Sequence, residues 1–112
     1  MTADEVRQAL GEVLVSPQFA RSPKMARLLR YLVEQKLAGR AEGCKEMVIA
    51  AEVYGKAADY DPSVDSLVRV EMSRLRSKLR THYEGAGAAA GIVFEIPAGS
   101  YEPQWRPAAP AG

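Results

Sequence analysis

The stretch Asp65-Ser-Leu-Val-Arg-Val-Glu-Met-Ser-Arg-Leu-Arg-Ser-Lys-Leu-Arg-Thr-His-Tyr83 decides how this chain is read. Val68, Met72, Leu75 and Leu79 recur at steps of four, three and four, the apolar stripe of a helix lying on a core. At roughly 100° per residue, the opposite face carries Ser66, Val70, Ser73 and Ser77. Arg69, Arg76 and Arg80 line one edge of that face, and Arg74 and Lys78 line the other. Short side chains permit close approach to base edges, and basic edges face the phosphate strands, so the pattern suits a helix lying in a DNA groove. A plainer account also fits. Surface helices carry arginine because it is solvated and helix-favouring, and the helix alone does not separate the two.

The 112 residues make one domain of ordinary size, and 47% hydrophobic residues suffice for a modest core. The formal net charge is only +1, less than a strong nucleic-acid binder often carries. Its distribution says more. Between Ser63 and Tyr83 five basic residues stand against two acidic ones, a local +3 that leaves −2 for the rest, and this places the positive charge on one element. Cys44 is the only cysteine, so neither an internal disulfide nor a thiolate metal site is expected, and a reducing cytoplasmic compartment fits. No segment approaches the roughly 18 apolar residues of a membrane span, and the N-terminal Met-Thr-Ala-Asp-Glu lacks the pattern of a signal peptide. Membrane contact by this segment is not expected.

Working outward from the long helix, Asp4–Val15 reads as an amphipathic helix with Thr2 or Asp4 as cap, ended by Ser16-Pro17. Ser22-Pro23 starts Pro23–Ala38, whose Met25, Leu28, Leu29, Leu32, Val33 and Leu37 mark the central core helix, with Gly39 closing it. Lys45–Tyr54 is a shorter helix expected to turn Met47, Val48, Ala51 and Tyr54 inward. The connection through Gly55–Pro62 leads to the long helix, which begins near Ser63. Glu84–Gly91 is Gly/Ala-rich. Ile92–Ile96 favours a strand, Ser100–Trp105 is its expected partner, and Pro97-Ala98-Gly99 supplies the turn. Residues 106–112 read as a linker-like tail. The expected fold class is therefore mainly α with a C-terminal β-hairpin, a winged helix-turn-helix over residues 1–105. Residues 1–21 form an added N-terminal helix and loop, 22–84 the helical core and 92–105 the wing.

The segment Val68-Arg-Val-Glu-Met-Ser-Arg-Leu-Arg-Ser-Lys-Leu79 resembles the recognition helix of the OmpR/PhoB-type winged-helix domains, and Gly99-Ser-Tyr101 resembles the end of their wing. Arg27-Leu-Leu-Arg-Tyr-Leu32 is similar to their first helix. Across nearly its whole length the chain looks like the N-terminal winged-helix domains of bacterial regulators that continue into tetratricopeptide or other sensory domains. The shared segments include Ser16-Pro-Gln-Phe19, Ala50-Ala-Glu-Val-Tyr54, Asp61-Pro62 and Ile96-Pro-Ala-Gly-Ser-Tyr101. The resemblance implies base contacts from Arg69, Val70 and Arg74 and phosphate contacts from Ser66, Ser73 and Arg76. Ser77, Lys78 and Arg80 join the phosphate set through their places on the same face and edges. Two departures matter. The family's N-terminal sheet is replaced by a helix. Pro97 and Ala98 stand where the wing usually carries arginine, so Ser100 or backbone amides are the expected phosphate contact there.

No catalytic set is recognisable, so an enzyme is not expected, and neither a cofactor nor a metal is called for. His82, the single histidine, lacks a neighbouring ligand, and Cys44 reads as structural. Glu71 is expected to pair with Arg74 or Arg27, and Tyr101 and Trp105 to pack the wing on the core. The function implied is sequence-specific double-stranded DNA binding by a bacterial transcriptional regulator. RNA polymerase is a candidate partner for loop 55–62, and a homodimer on repeated half-sites would supply specificity. The alternative is a winged-helix protein-interaction module without strong DNA affinity, which the low net charge and the missing wing arginine favour.

Overall fold

The computed structural model describes residues 1–108. It is mainly helical with one small antiparallel hairpin near the C-terminus. Helix α1 (Ala3–Leu14) starts at Thr2, whose Oγ1 accepts the Glu5 N–H at 3.1 Å while the Glu5 carboxylate accepts the Thr2 N–H. This reciprocal box satisfies two amide donors that a bare helix start leaves unpaired. Val6, Leu10 and Val13 face the core. Ser16-Pro17 ends α1 as expected, but it also opens a one-turn helix, α2 (Pro17–Ala20), with proline at the first position. Four residues are too few to show a period, yet α2 delivers Phe19 to the core at 1% exposure.

Helix α3 (Pro23–Leu37) is the centre of the fold, with Leu28, Leu29, Leu32 and Val33 fully buried. It closes at Gly39, whose φ of +73° lets the amides of Gly39 and Arg40 reach back to the carbonyls of Lys36 and Gln35. A 3-10 turn (Ala41–Cys44) leads to α4 (Glu46–Tyr54). Here the inward face differs from the expected one. Ile49, Ala50 and Val53 are buried, Val48 and Tyr54 are half-buried, and Met47 and Ala51 are exposed. The sequence Glu-Met-Val-Ile-Ala-Ala-Glu-Val-Tyr is apolar nearly all round, so it contains little periodic signal and contact with α3 and α5 selects the face.

The long helix α5 (Leu67–Glu84) starts four residues later than Ser63. Asp61 Oδ1 accepts from both the backbone and the hydroxyl of Ser63, and Asp65 Oδ1 accepts the Leu67 N–H at 3.0 Å. These local bonds hold the preceding residues in turns instead of helix. Tyr60 anchors the connection, buried and donating its hydroxyl to the Asp65 carbonyl at 3.0 Å. Val68, Met72, Leu75 and Leu79 are all buried, as their spacing predicts. Strand β1 (Ile92–Glu95) then pairs antiparallel with β2 (Gln104–Pro107), Phe94 opposite Trp105 and Val93 opposite Arg106. The second strand therefore lies beyond most of the expected Ser100–Trp105 segment and takes Arg106 and Pro107 from the supposed tail. The register follows from burying Phe94 beneath Trp105, and the Ala108 N–H extends it by reaching the Gly91 carbonyl at 2.9 Å. Residues 109–112, the remainder of that tail, lie outside the described residues.

Candidate nucleic-acid interface

Burial of the Val68–Leu79 stripe turns the other side of α5 to solvent. Ser66, Arg69, Val70, Ser73, Arg74, Ser77 and Arg80 are exposed, as the helical count places them. Ser66 stands just before the first helical residue, where its side chain makes no capping bond. Val70 is 42% exposed, an apolar side chain among serines. Arg74 pairs with Glu71 at 3.0 Å, one of the two partnerships foreseen for Glu71, and the Arg74 side chain remains 67% exposed. Glu71 thus seats the guanidinium without withdrawing it from solvent.

The edges of the face differ from expectation. Arg76 and Lys78 are half-buried. Arg76 donates from Nε to the Ile96 carbonyl at 3.1 Å and from Nη2 to the carbonyls of Pro97 and Ser100 at 3.3 and 2.6 Å. Its guanidinium also lies 5.7 Å from the centre of the Tyr101 ring. Its planar fork of donors binds the hairpin loop to α5, so Arg76 does not stand free on the helix edge as the helical count alone suggests. Lys78 donates to the Gln18 carbonyl at 3.2 Å and ties α5 to α2. Ser100 is half-buried, with its hydroxyl accepting the Glu102 N–H at 3.1 Å and its carbonyl held by Arg76.

Lys36 holds the same loop from α3. It donates to the Pro103 carbonyl at 2.7 Å, lies 3.7 Å from the Glu102 carboxylate and stands 5.0 Å over the Trp105 ring. Nothing local in the sequence marks this role, because Lys36 and Pro103 are 67 residues apart. Together Lys36 and Arg76 clasp the loop from both sides, and Tyr101 and Trp105 pack it down. Between this loop, the 3-10 turn, the start of α4 and α5 runs a groove of about 690 Å³ bordered by Lys45, Arg69, Arg76 and Ser100.

His82 extends the buried stripe by one step of three and is 5% exposed. It meets Phe19 edge-on at 6.5 Å and Tyr83 at 4.7 Å, and Nδ1 has no partner. A Cβ at Gly87 would overlap its Nε2, so the chain leaving α5 passes His82 at a distance only glycine allows. Burial depresses the imidazole below its ordinary 6.5. A base with a lowered folded-state value binds fewer protons folded than unfolded. Its contribution to stability is therefore complete above about pH 6.5 and is lost as pH falls through the lower folded value. Urea midpoints measured from about pH 7.5 to pH 5 should fall on acidification, and the fall should shrink in His82→Gln. An equal fall in both proteins would trace it to other groups.

Cys44 is buried, and desolvation pushes its thiol up to about 11. Among the described residues no group of three or more His, Cys, Asp or Glu side chains is placed to hold a metal ion, and no helix is long and apolar enough to cross a membrane. Against known protein families, characterised proteins and solved structures, the chain finds no match.

Proposed function

We propose that the chain is a winged-helix domain that binds double-stranded DNA sequence-specifically and serves a bacterial transcriptional regulator. In this reading α4 and α5 form the helix-turn-helix unit, α5 is the recognition helix, and the β1–β2 hairpin is the wing. The observation that carries it is the exposed face of α5, where Val70, Ser66, Ser73 and Ser77 lie between Arg69 and Arg80 on one edge and Arg74 on the other. An α-helix with its side chains is roughly 10–12 Å across and the major groove is about 12 Å wide, so a face of short side chains meets base edges while its flanks meet phosphates. Arg74 and Arg69 suit bidentate recognition of guanine, and Val70 suits apolar contact with a base edge. Ser66, Ser73, Ser77 and Arg80 remain the phosphate contacts of α5. The resemblance to OmpR/PhoB-type domains supports the same assignment.

Selection of bound duplexes from a random pool, followed by titration of Arg74→Ala on the selected duplex, tests this reading. Loss of one bidentate contact should cost about 1–3 kcal/mol of discrimination at one base pair. Parental affinity and parental preference in Arg74→Ala would reject the base-reading role. Failure of the parent to be retained on heparin or duplex DNA at low salt would favour the protein-interaction module instead. The small net charge and the commitment of Arg76 to the wing are the features on that side. The loop over residues 55–62 remains a candidate contact for RNA polymerase, and a homodimer a candidate arrangement on repeated half-sites.

A further inference from the structure

The positive charge of this chain is not confined to α5. From Val13 to Val33 there are four basic residues, Arg21, Lys24, Arg27 and Arg30, and no acidic one. This local +4 exceeds the +3 of the long helix, and acidic residues elsewhere conceal it in the total. All four side chains are exposed, and none forms an ion pair or hydrogen bond among the described residues. Glu71, which lines a groove together with Lys24 and Arg27, is bonded to Arg74.

The fold places this run beside the α5 edge that faces away from the wing. Lys24 and Arg27 share a small groove with Tyr54, Leu67 and Glu71, at the N-terminal half of α5. Further along the same edge, Lys78 reaches the Gln18 carbonyl of α2, three residues before Arg21. By helical count Leu67, Glu71, Arg74 and Lys78 occupy one side of α5, and Arg69, Arg76 and Arg80 occupy the side against the hairpin. A helix in the major groove has a phosphate strand along each side.

We propose that Arg21, Lys24 and Arg27 form a second phosphate-contacting strip, which engages the DNA strand on the side of α5 opposite the wing. The proposal rests on the DNA-binding reading and extends its footprint to the α2–α3 junction. Both structural facts are needed. The acid-free run supplies cations without local competitors, and the packing of α3 and α2 on α5 aligns them with the Arg74 edge.

The test is a fluorescence-anisotropy titration of a labelled duplex at several salt concentrations, comparing the full chain with its Arg21→Gln/Lys24→Gln/Arg27→Gln variant. Each lost phosphate contact removes about 0.9 from the slope of log affinity against log salt, so the variant should lose about two to three in slope. Its preference for a selected duplex over a scrambled one should be unchanged, because phosphate contacts hold no sequence information. Thermal melting verifies that the variant is folded. Arg40→Gln, which removes an exposed cation from the α3 to α4 connection, should keep the parental slope. A parental slope in the triple variant overturns the strip while leaving the DNA reading intact. An equal loss per charge in Arg40→Gln overturns it too, by showing a general charge effect. Absence of duplex binding by the parent rejects the DNA reading itself, and the strip with it.

Discussion

Phe94→Ala is expected to lower the unfolding free energy by about 3–5 kcal/mol, the usual cost of emptying a buried aromatic site. Phe94 is 1% exposed and meets Trp105 edge-on at 5.9 Å across the hairpin. Its backbone N–H donates to the Tyr83 hydroxyl at 3.0 Å, so the same residue joins β1 to the last turn of α5. Natural domains have only about 5–15 kcal/mol in total, which makes this loss large. A domain of this size melts about 4–8 °C lower for each kcal/mol lost, so a thermal scan should show the change plainly. Phe94→Leu, which keeps most of the volume, should cost less than about 1.5 kcal/mol. A melting temperature in Phe94→Ala within a few degrees of the parent would mean that the hairpin adds little to the core. It would also remove the reason for expecting a fixed hairpin.

Arg76→Ala is the second large expected effect. It removes one cation that serves three carbonyls, and hydrogen bonds to charged groups contribute about 1.5–3 kcal/mol each without being additive. Because the side chain is half-buried and the bonds share one guanidinium, a total loss of about 2–3 kcal/mol is expected. Arg76→Lys should recover little, since an ammonium cannot reproduce the fork that spans Ile96, Pro97 and Ser100. The DNA readout separates two roles. A positioning residue, when removed, weakens binding through a loosened hairpin and leaves the salt slope near the parental value. A phosphate contact, when removed, lowers the slope by about one. Unchanged stability with a lowered slope would return Arg76 to the phosphate-contacting set.

The helices were legible wherever one side of the chain is apolar and the other polar. The α5 stripe and the inward residues of α1 and α3 follow from side-chain spacing, and Gly39 marks a helix end because its left-handed φ favours glycine. His82 was legible in principle as the next member of the α5 stripe. Its place on the helix, three residues after Leu79, points to burial. The acid-free run from Val13 to Val33 was equally readable, but a regional charge total averaged it with the acidic segments on either side.

Other features had no local signal. Nearly uniform apolarity left the orientation of α4 undetermined until α3 and α5 chose Ile49, Ala50 and Val53. The start of α5 depended on a competition between helix and the Asp61 and Asp65 turns, which spacing does not express. Strand β2 includes Arg106 and Pro107 because cross-strand register answers to the burial of Phe94, a constraint imposed from the facing strand and the core. Most consequentially, Arg69, Arg76 and Arg80 look alike on a helical projection. Only the return of the loop against α5 commits Arg76 to three carbonyls and leaves Arg69 and Arg80 exposed. Helical periodicity is a property of neighbours three and four residues apart, so the sequence by itself determined which face of each amphipathic helix is buried. The pairing of a cation with a carbonyl twenty or more residues away depends on how the elements pack, so tertiary structure alone decided which exposed-face cations remain free for a partner.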